Sequence, residues 1–222
     1  MNQSLADKAY QLIKRDILAC VLEPGQVVIQ ARLARDYGIG VTPVREALYR
    51  LAEAGLIEPV AGGGFAVSSV TLEGVQQLFE LRTILEVAAV RLAALRGTDD
   101  DFEALCENAA FSYTFVDKAS YVAYLAANSD FHRSIALVAG NARLAEAVSG
   151  VLDELTRVFH MVLGHQDRSE EKVHAHVHLA QALCERDVET AVYLVEKEIK
   201  DTETMVWQAA GARPACSIVL TR

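Results

Sequence analysis

A chain of 222 residues, 52% of them hydrophobic, is long enough to bury sizeable cores and to hold two domains. No apolar run approaches the roughly 18 residues needed to cross a bilayer, and the N-terminus lacks the basic-then-apolar pattern of an export signal, so a cytoplasmic protein without a membrane role is expected. The formal net charge of −9 is uneven. Residues 1–70 balance seven basic side chains (Lys8, Lys14, Arg15, Arg32, Arg35, Arg45, Arg50) against seven acidic ones (Asp7, Asp16, Glu23, Asp36, Glu46, Glu53, Glu58), so the whole excess lies beyond residue 70.

Residues 5–19 place Leu5, Ala9, Leu12, Ile13 and Ile17 at helical spacing, and Glu23-Pro24-Gly25 is a turn. Gln30–Tyr37 reads as a second, short helix, and Gly38-Ile39-Gly40 turns the chain into a third. That third helix begins at Thr42-Pro43, with Thr42 expected as N-cap and Pro43 in the first turn. Val44, Ala47, Leu48 and Leu51 share its apolar face, which leaves Thr42, Arg45, Tyr49 and Arg50 pointing outward. After Gly55, Leu56–Val60 and Phe65–Val67 are two strands around Ala61-Gly62-Gly63-Gly64. Three helices and a hairpin make a winged helix-turn-helix over residues 1–70, and a short helix with an outward arginine suits a DNA major groove.

Pro24-Gly25, Leu33-Ala34, Gly38, the string Thr42-Pro43-Val44-Arg45-Glu46-Ala47-Leu48, Leu51, Gly55-Leu56 and Gly64-Phe65-Ala66-Val67 resemble the N-terminal half of GntR-family regulators. The resemblance implies double-stranded operator DNA as partner, with Arg45 and Thr42 docking the recognition helix, helped by Arg35, Tyr49 and Arg50. The chain departs from the family where Gly40-Val41 replaces Ser-Arg ahead of Thr-Pro, and where Gly63 replaces the arginine of the wing. Phosphate neutralisation supplies most non-specific affinity, so a neutral reader domain binds weakly alone. Two copies on a palindrome multiply the effect, and a homodimer is expected.

Beyond Ser68-Ser69-Val70 helix follows helix, with no proline until Pro214. Residues 71–96 carry Leu78, Leu81, Leu85, Ala88, Ala89 and Leu92 as an apolar face, and Thr98-Asp99-Asp100-Asp101 caps a helix over 99–116. Helices over 118–139, 142–163 (striped by Leu144, Val148, Val151, Leu152, Leu155 and Val158), 169–185 and 187–209 complete an all-helical antiparallel bundle over residues 71–210. Residues 211–222 form a tail. The fold class is therefore mainly α. Cys20, Cys106, Cys184 and Cys216 are scattered without a Cys-x-x-Cys; as free thiols in helical segments they act as small apolar groups, with Cys216 in the tail the exception if any is redox-active.

Five polar side chains interrupt the bundle's apolar faces. His132 shares an inward face with Asn128, Leu125 and Ile135; His176 shares one with Leu179, Ala180 and Leu183; Glu198 follows Leu194 and Val195; and Arg82 lies between Leu81 and Leu85. Buried histidine, carboxylate and arginine are costly unless paired, hydrogen-bonded or metal-bound. His174 and His178 fall on the opposite, solvated side, and His160 and His165 flank the Gly164 turn. Arg82 could clamp a carboxylate bidentately or pair with Glu86 at i+4.

Leu81-Arg82-Thr83-Ile84-Leu85-Glu86, Phe131-His132 leading to Ala139-Gly140-Asn141, and His176 eleven residues before Asp187 resemble the FCD ligand-binding domain of FadR-type GntR regulators. The resemblance implies a divalent metal and a small carboxylate effector. By position its metal ligands are Asn128, His132, His176 and Glu198; only the two histidines match, asparagine and glutamate having replaced an aspartate and a histidine. Two imidazoles, a carboxylate and an amide oxygen remain a workable set for Zn²⁺, Ni²⁺ or Fe²⁺. The same residues with Arg82 could instead bind the effector directly as a polar network, or be purely structural.

The expected function is a ligand-responsive transcriptional regulator, not an enzyme. A helical interaction module with weakened DNA binding is one alternative. A non-haem metal enzyme is another, and the absence of β-barrel strands weighs against it.

Overall fold

The computed structural model describes residues 4–109, 118–162 and 169–211. They divide into two compact units, one ending at Leu72 and the other beginning at Glu73.

In the first unit, α1 (Leu5–Leu18) is capped by Ser4, whose Oγ accepts from the Asp7 amide at 3.0 Å. Helix α2 spans Gln30–Asp36 and α3 spans Val41–Glu53. The core joins α1 to α3: Ala9, Ile13 and Ile17 meet the face of Val44, Ala47, Leu48 and Leu51, and none of the seven is exposed. The cap of α3 differs from expectation. The helix starts at Val41, Gly40 is the N-cap residue, and no side chain caps it. The Gly40 carbonyl takes the Val44 N–H at 3.3 Å. Pro43, which has no N–H to leave unpaired, thus sits among the first-turn positions that lack intrahelical partners, and Thr42 lies inside the helix with its side chain exposed.

The wing is part of a three-stranded antiparallel sheet ordered β1-β3-β2, in which β1 is Val27–Val28, β2 is Ile57–Pro59 and β3 is Phe65–Val67. Val27 faces Ala66 and Ile57 faces Val67. The hairpin was legible in the sequence; the two-residue β1 was not. At the wing tip Gly62, Gly63 and Gly64 hold φ of +93°, +89° and +105°, a conformation side chains beyond glycine resist.

The second unit holds α4 (Leu72–Arg96), α5 (Asp99–Ala109), α6 (Lys118–Val138), α7 (Ala142–Val162), α8 (Ser169–Cys184) and α9 (Val188–Gly211). The end expected for the helix from residue 99, the His165 position and the tail with Cys216 lie outside the described residues. Thr98 and Asp101 cap α5 reciprocally: the Thr98 Oγ accepts from the Asp101 amide at 3.2 Å and the Asp101 carboxylate accepts from the Thr98 amide at 2.8 Å.

Helix α4 buries its expected face only in part: Ala89 is buried and Leu78, Leu85, Ala88 and Leu92 are partly buried. Its buried face is Val75, Phe79, Arg82, Glu86, Ala89, Val90, Ala93 and Ala94, whereas Leu81 is 44% exposed. Counting apolar residues selects the leucine stripe; the observed face buries two opposite charges that compensate each other. On α7 the expected stripe is buried as read, except that Leu144 is only partly so. No described helix is long and apolar enough to cross a membrane.

Candidate functional site

The recognition helix presents Thr42, Arg45, Tyr49 and Arg50 to solvent, and α2 exposes Arg35. These side chains are not equivalent. The Arg50 guanidinium lies 2.8 Å from the Asp7 carboxylate and 4.4 Å from the centre of the Tyr10 ring, so it is engaged with α1. Tyr49 packs edge-on against Phe65 of the wing, with ring centres 5.5 Å apart. Arg35 stands 3.6 Å from Asp36. Arg45 and Thr42 lie along the exposed first turns of α3, and Val41 beside them is half exposed.

In the helical unit, four helices bring Arg82 and Glu86 (α4), His132 (α6), His176 (α8) and Glu198 (α9) into one buried cluster, each no more than 6% exposed. Arg82 Nε donates to Glu86 Oε1 at 2.6 Å, and the other Glu86 oxygen lies 2.7 Å from His132 Nδ1. That second contact pairs the carboxylate with the imidazole across two helices. On its other side, His132 Nε2 is 3.3 Å from Glu198 Oε1, which is also 3.3 Å from His176 Nε2. Arg82 Nη2 approaches His132 Nε2 to 3.3 Å. Phe131 stacks on the His176 ring at 4.3 Å between centres, and the two imidazoles meet edge to face at 5.1 Å.

The charges tune one another. Burial alone would lower the His132 pKa, but the Glu86 and Glu198 carboxylates outweigh it and raise it to about 9. Burial would raise Glu86, yet Arg82 and then His132 bring it down to about 2. Glu198 is held well below the usual carboxylate range, its burial outweighed by His132 and His176.

The donor set fits a metal ion. One atom each from His132, His176 and Glu198 lies within 4.8 Å of the others. Donors held at about 2.1 Å stand about 3.0–3.4 Å apart along an octahedral or tetrahedral edge, which the two 3.3 Å contacts to Glu198 Oε1 match. Glu86 on the far ring nitrogen is the kind of outer partner that orients a ligating histidine. Asn128 is half-buried one turn before His132 on the same helix.

His174 and His178 are exposed, as their spacing implied. They line a surface cavity of about 450 Å³ between α8 and α9 together with Lys197, Glu198 and Asp201. His160 packs edge-on against Tyr121 at 5.8 Å. Sequence reasoning named Glu86 only as the partner of Arg82. Its second contact, across to α6, links residues 46 positions apart and has no periodic trace in the chain.

A winged-helix DNA reader followed by an all-helical unit with a buried polar site is the build of a one-component regulator. The comparisons agree: the FCD domain model matches residues 77–200, and the model for bacterial regulatory proteins of the gntR family matches residues 5–67. The chain belongs to the GntR family and carries an FCD domain, which makes it a transcriptional regulator with a ligand-binding effector domain.

It is 24% identical over 210 residues to the HTH-type transcriptional repressor RspR of Escherichia coli K12, covering 93% of this chain and 92% of that one. It is 38% identical over 82 residues to the Nta operon transcriptional regulator of Aminobacter aminovorans, covering 37% and 39% of the two chains. Its fold matches Escherichia coli McbR/YncC with a TM-score of 0.79 at 22% identity, over 93% of this chain and 99% of that one. A putative GntR regulator from Rhodococcus sp. RHA1 matches with a TM-score of 0.73 at 21% identity, over 96% and 100%. Regulators of this family bind DNA operators and typically dimerise.

Proposed function

We propose that this regulator senses a small carboxylate metabolite through a divalent metal held by His132, His176 and Glu198, with Asn128 as a weaker fourth donor. Arg82 is the partner for the effector's carboxylate. The observation that carries the reading is the convergence of three buried donor atoms within 4.8 Å of one another, two of their contacts at metal-edge spacing, beside an arginine. A divalent ion would supply Lewis-acid attraction for an anionic ligand. The chain's own residues orient it: Phe131 fixes the plane of His176, and Glu86 fixes the ring of His132. The cavity between α8 and α9, with Glu198 in its lining, supports a route from solvent.

On DNA, the reading assigns base or phosphate contacts first to Arg45 and Thr42. Arg35 and Tyr49 assist, and Arg50 joins only on leaving Asp7. The working unit is a homodimer in the cytoplasm, and effector binding changes operator affinity by favouring one arrangement of two reader domains over another. The regulatory character of the named relatives supports sensing over catalysis.

The test is binding of the purified protein to duplex DNA from upstream of its own gene, over a salt series, with short carboxylic acids and Zn²⁺ added singly and together. Sequence-dependent binding that one acid shifts only with metal present is the expected result. Binding no tighter than to unrelated DNA would overturn the regulator reading, and an acid response indifferent to metal would overturn the metal's part.

A further inference from the structure

Two of the four cysteines meet although 78 positions separate them in the chain. Cys106 in α5 and Cys184, the last residue of α8, place their sulfur atoms 3.0 Å apart. Neither thiol is sealed in the core: Cys106 is half-buried and Cys184 is exposed. The sulfurs are held in a braced corner. The Cys184 thiol also lies 3.7 Å from the Phe102 carbonyl. Arg186, two residues on, donates to the Ala94 and Gly97 carbonyls at 3.2 and 3.0 Å and lies over the Phe102 ring at 5.0 Å. Helices α4, α5 and α8 are thus tied together around the pair.

The geometry points to a reversible disulfide between Cys106 and Cys184, formed by hydroperoxides, which makes the helical domain responsive to oxidants. A disulfide needs about 2.05 Å between sulfurs, so each has about half an ångström to travel from 3.0 Å. Attack of one sulfur, as thiolate, on hydrogen peroxide breaks the O–O bond, giving a sulfenic acid and hydroxide, which takes up the thiol's proton to leave as water. The second sulfur then attacks the sulfenyl sulfur and loses its proton, forming the S–S bond and expelling a second water. Two thiols lose two electrons and two protons; one peroxide becomes two waters.

The Cys184 thiol is pushed up to about 11, by desolvation first and then by its hydrogen bond and repulsion with Cys106. It therefore keeps its proton at neutral pH, which slows attack by this sulfur. Once formed, the bond fastens α5 to the end of the helix that presents His176, two turns earlier on α8. The inference is independent of what the buried cluster binds.

The test treats the full-length protein with hydrogen peroxide, alkylates the remaining thiols and maps the digest by mass spectrometry, with Cys106→Ser and Cys184→Ser variants alongside. The expected product is a peptide pair linked through Cys106 and Cys184 within one chain. It should disappear on reduction and be absent from both variants, and the oxidised wild type should show a raised unfolding midpoint. Over-oxidation of single cysteines without a link would overturn the inference, as would links that use Cys20 or Cys216, or links between chains.

Discussion

Metal binding at the buried cluster should release a proton from His132. His132 lies between Glu86 and Glu198, whose carboxylates raise its pKa to about 9. At pH 7, well below that value, nearly all the rings are protonated, so freeing Nε2 for a metal costs on the order of 3 kcal/mol. Zn²⁺ binding measured calorimetrically at pH 7, in two buffers of different protonation heat, should therefore report at least one proton released per site, that of His132. Apparent affinity should rise nearly tenfold per pH unit up to about pH 8.5. Glu86→Gln removes the nearer carboxylate, lowers the His132 pKa and should shrink the proton release, with circular dichroism confirming that the variant folds. Affinity that is flat between pH 7 and 8.5 with no proton released would refute the assignment of His132 as a protonated ligand in waiting. Equal proton release from Glu86→Gln would refute the role given to Glu86.

Arg45→Ala should weaken operator binding by about 1–3 kcal/mol if the side chain reads a base, and a gel-shift titration giving unchanged affinity would remove it from the interface. Val41→Arg restores the arginine that the family carries ahead of Thr-Pro, on an exposed helical position. It should tighten binding and steepen the salt dependence by about one unit per subunit, about two for the homodimer. Gly63→Arg should do less for DNA and cost about 1 kcal/mol of stability, because Gly63 holds φ at +89°; comparing the two variants by denaturant unfolding and salt titration separates the effects. Gly97→Ala should lower stability by about 1–3 kcal/mol through overpacking, since a Cβ there would stand 2.7 Å from the Phe102 ring and 2.8 Å from Val138. An unfolding midpoint equal to wild type would contradict the packing described at the α4–α5 turn.

The reader domain was legible because its signals are local. Proline near a helix start, an apolar face at helical spacing and glycines at a hairpin each act within a few residues, and the Val44–Leu51 face is buried as the pattern implied. What escaped was whatever depends on the backbone of one residue or on distant pairing: the Gly40 cap in place of Thr42, and β1, which exists only because Val27 and Val28 pair with β3. In the helical unit the inward positions of His132, His176 and Glu198 followed from spacing. The exposure of Leu81 on α4 did not, because hydrophobicity places every leucine of the stripe inside whereas the compensated Arg82–Glu86 pair is fully buried beside it. The Cys106–Cys184 contact was equally hidden, since 78 residues separate the two thiols and only the packing of α5 on α8 brings them together.

Whether the cluster holds a metal is answered by elemental analysis of the purified protein before and after Zn²⁺ loading and dialysis. Wild type should retain about one equivalent per chain, and His176→Ala and Glu198→Gln should retain far less while still binding DNA. Protein that retains none, or a His176→Ala variant that retains as much as wild type, would contradict metal binding at this site and leave His132, His176 and Glu198 as a polar network closed on itself.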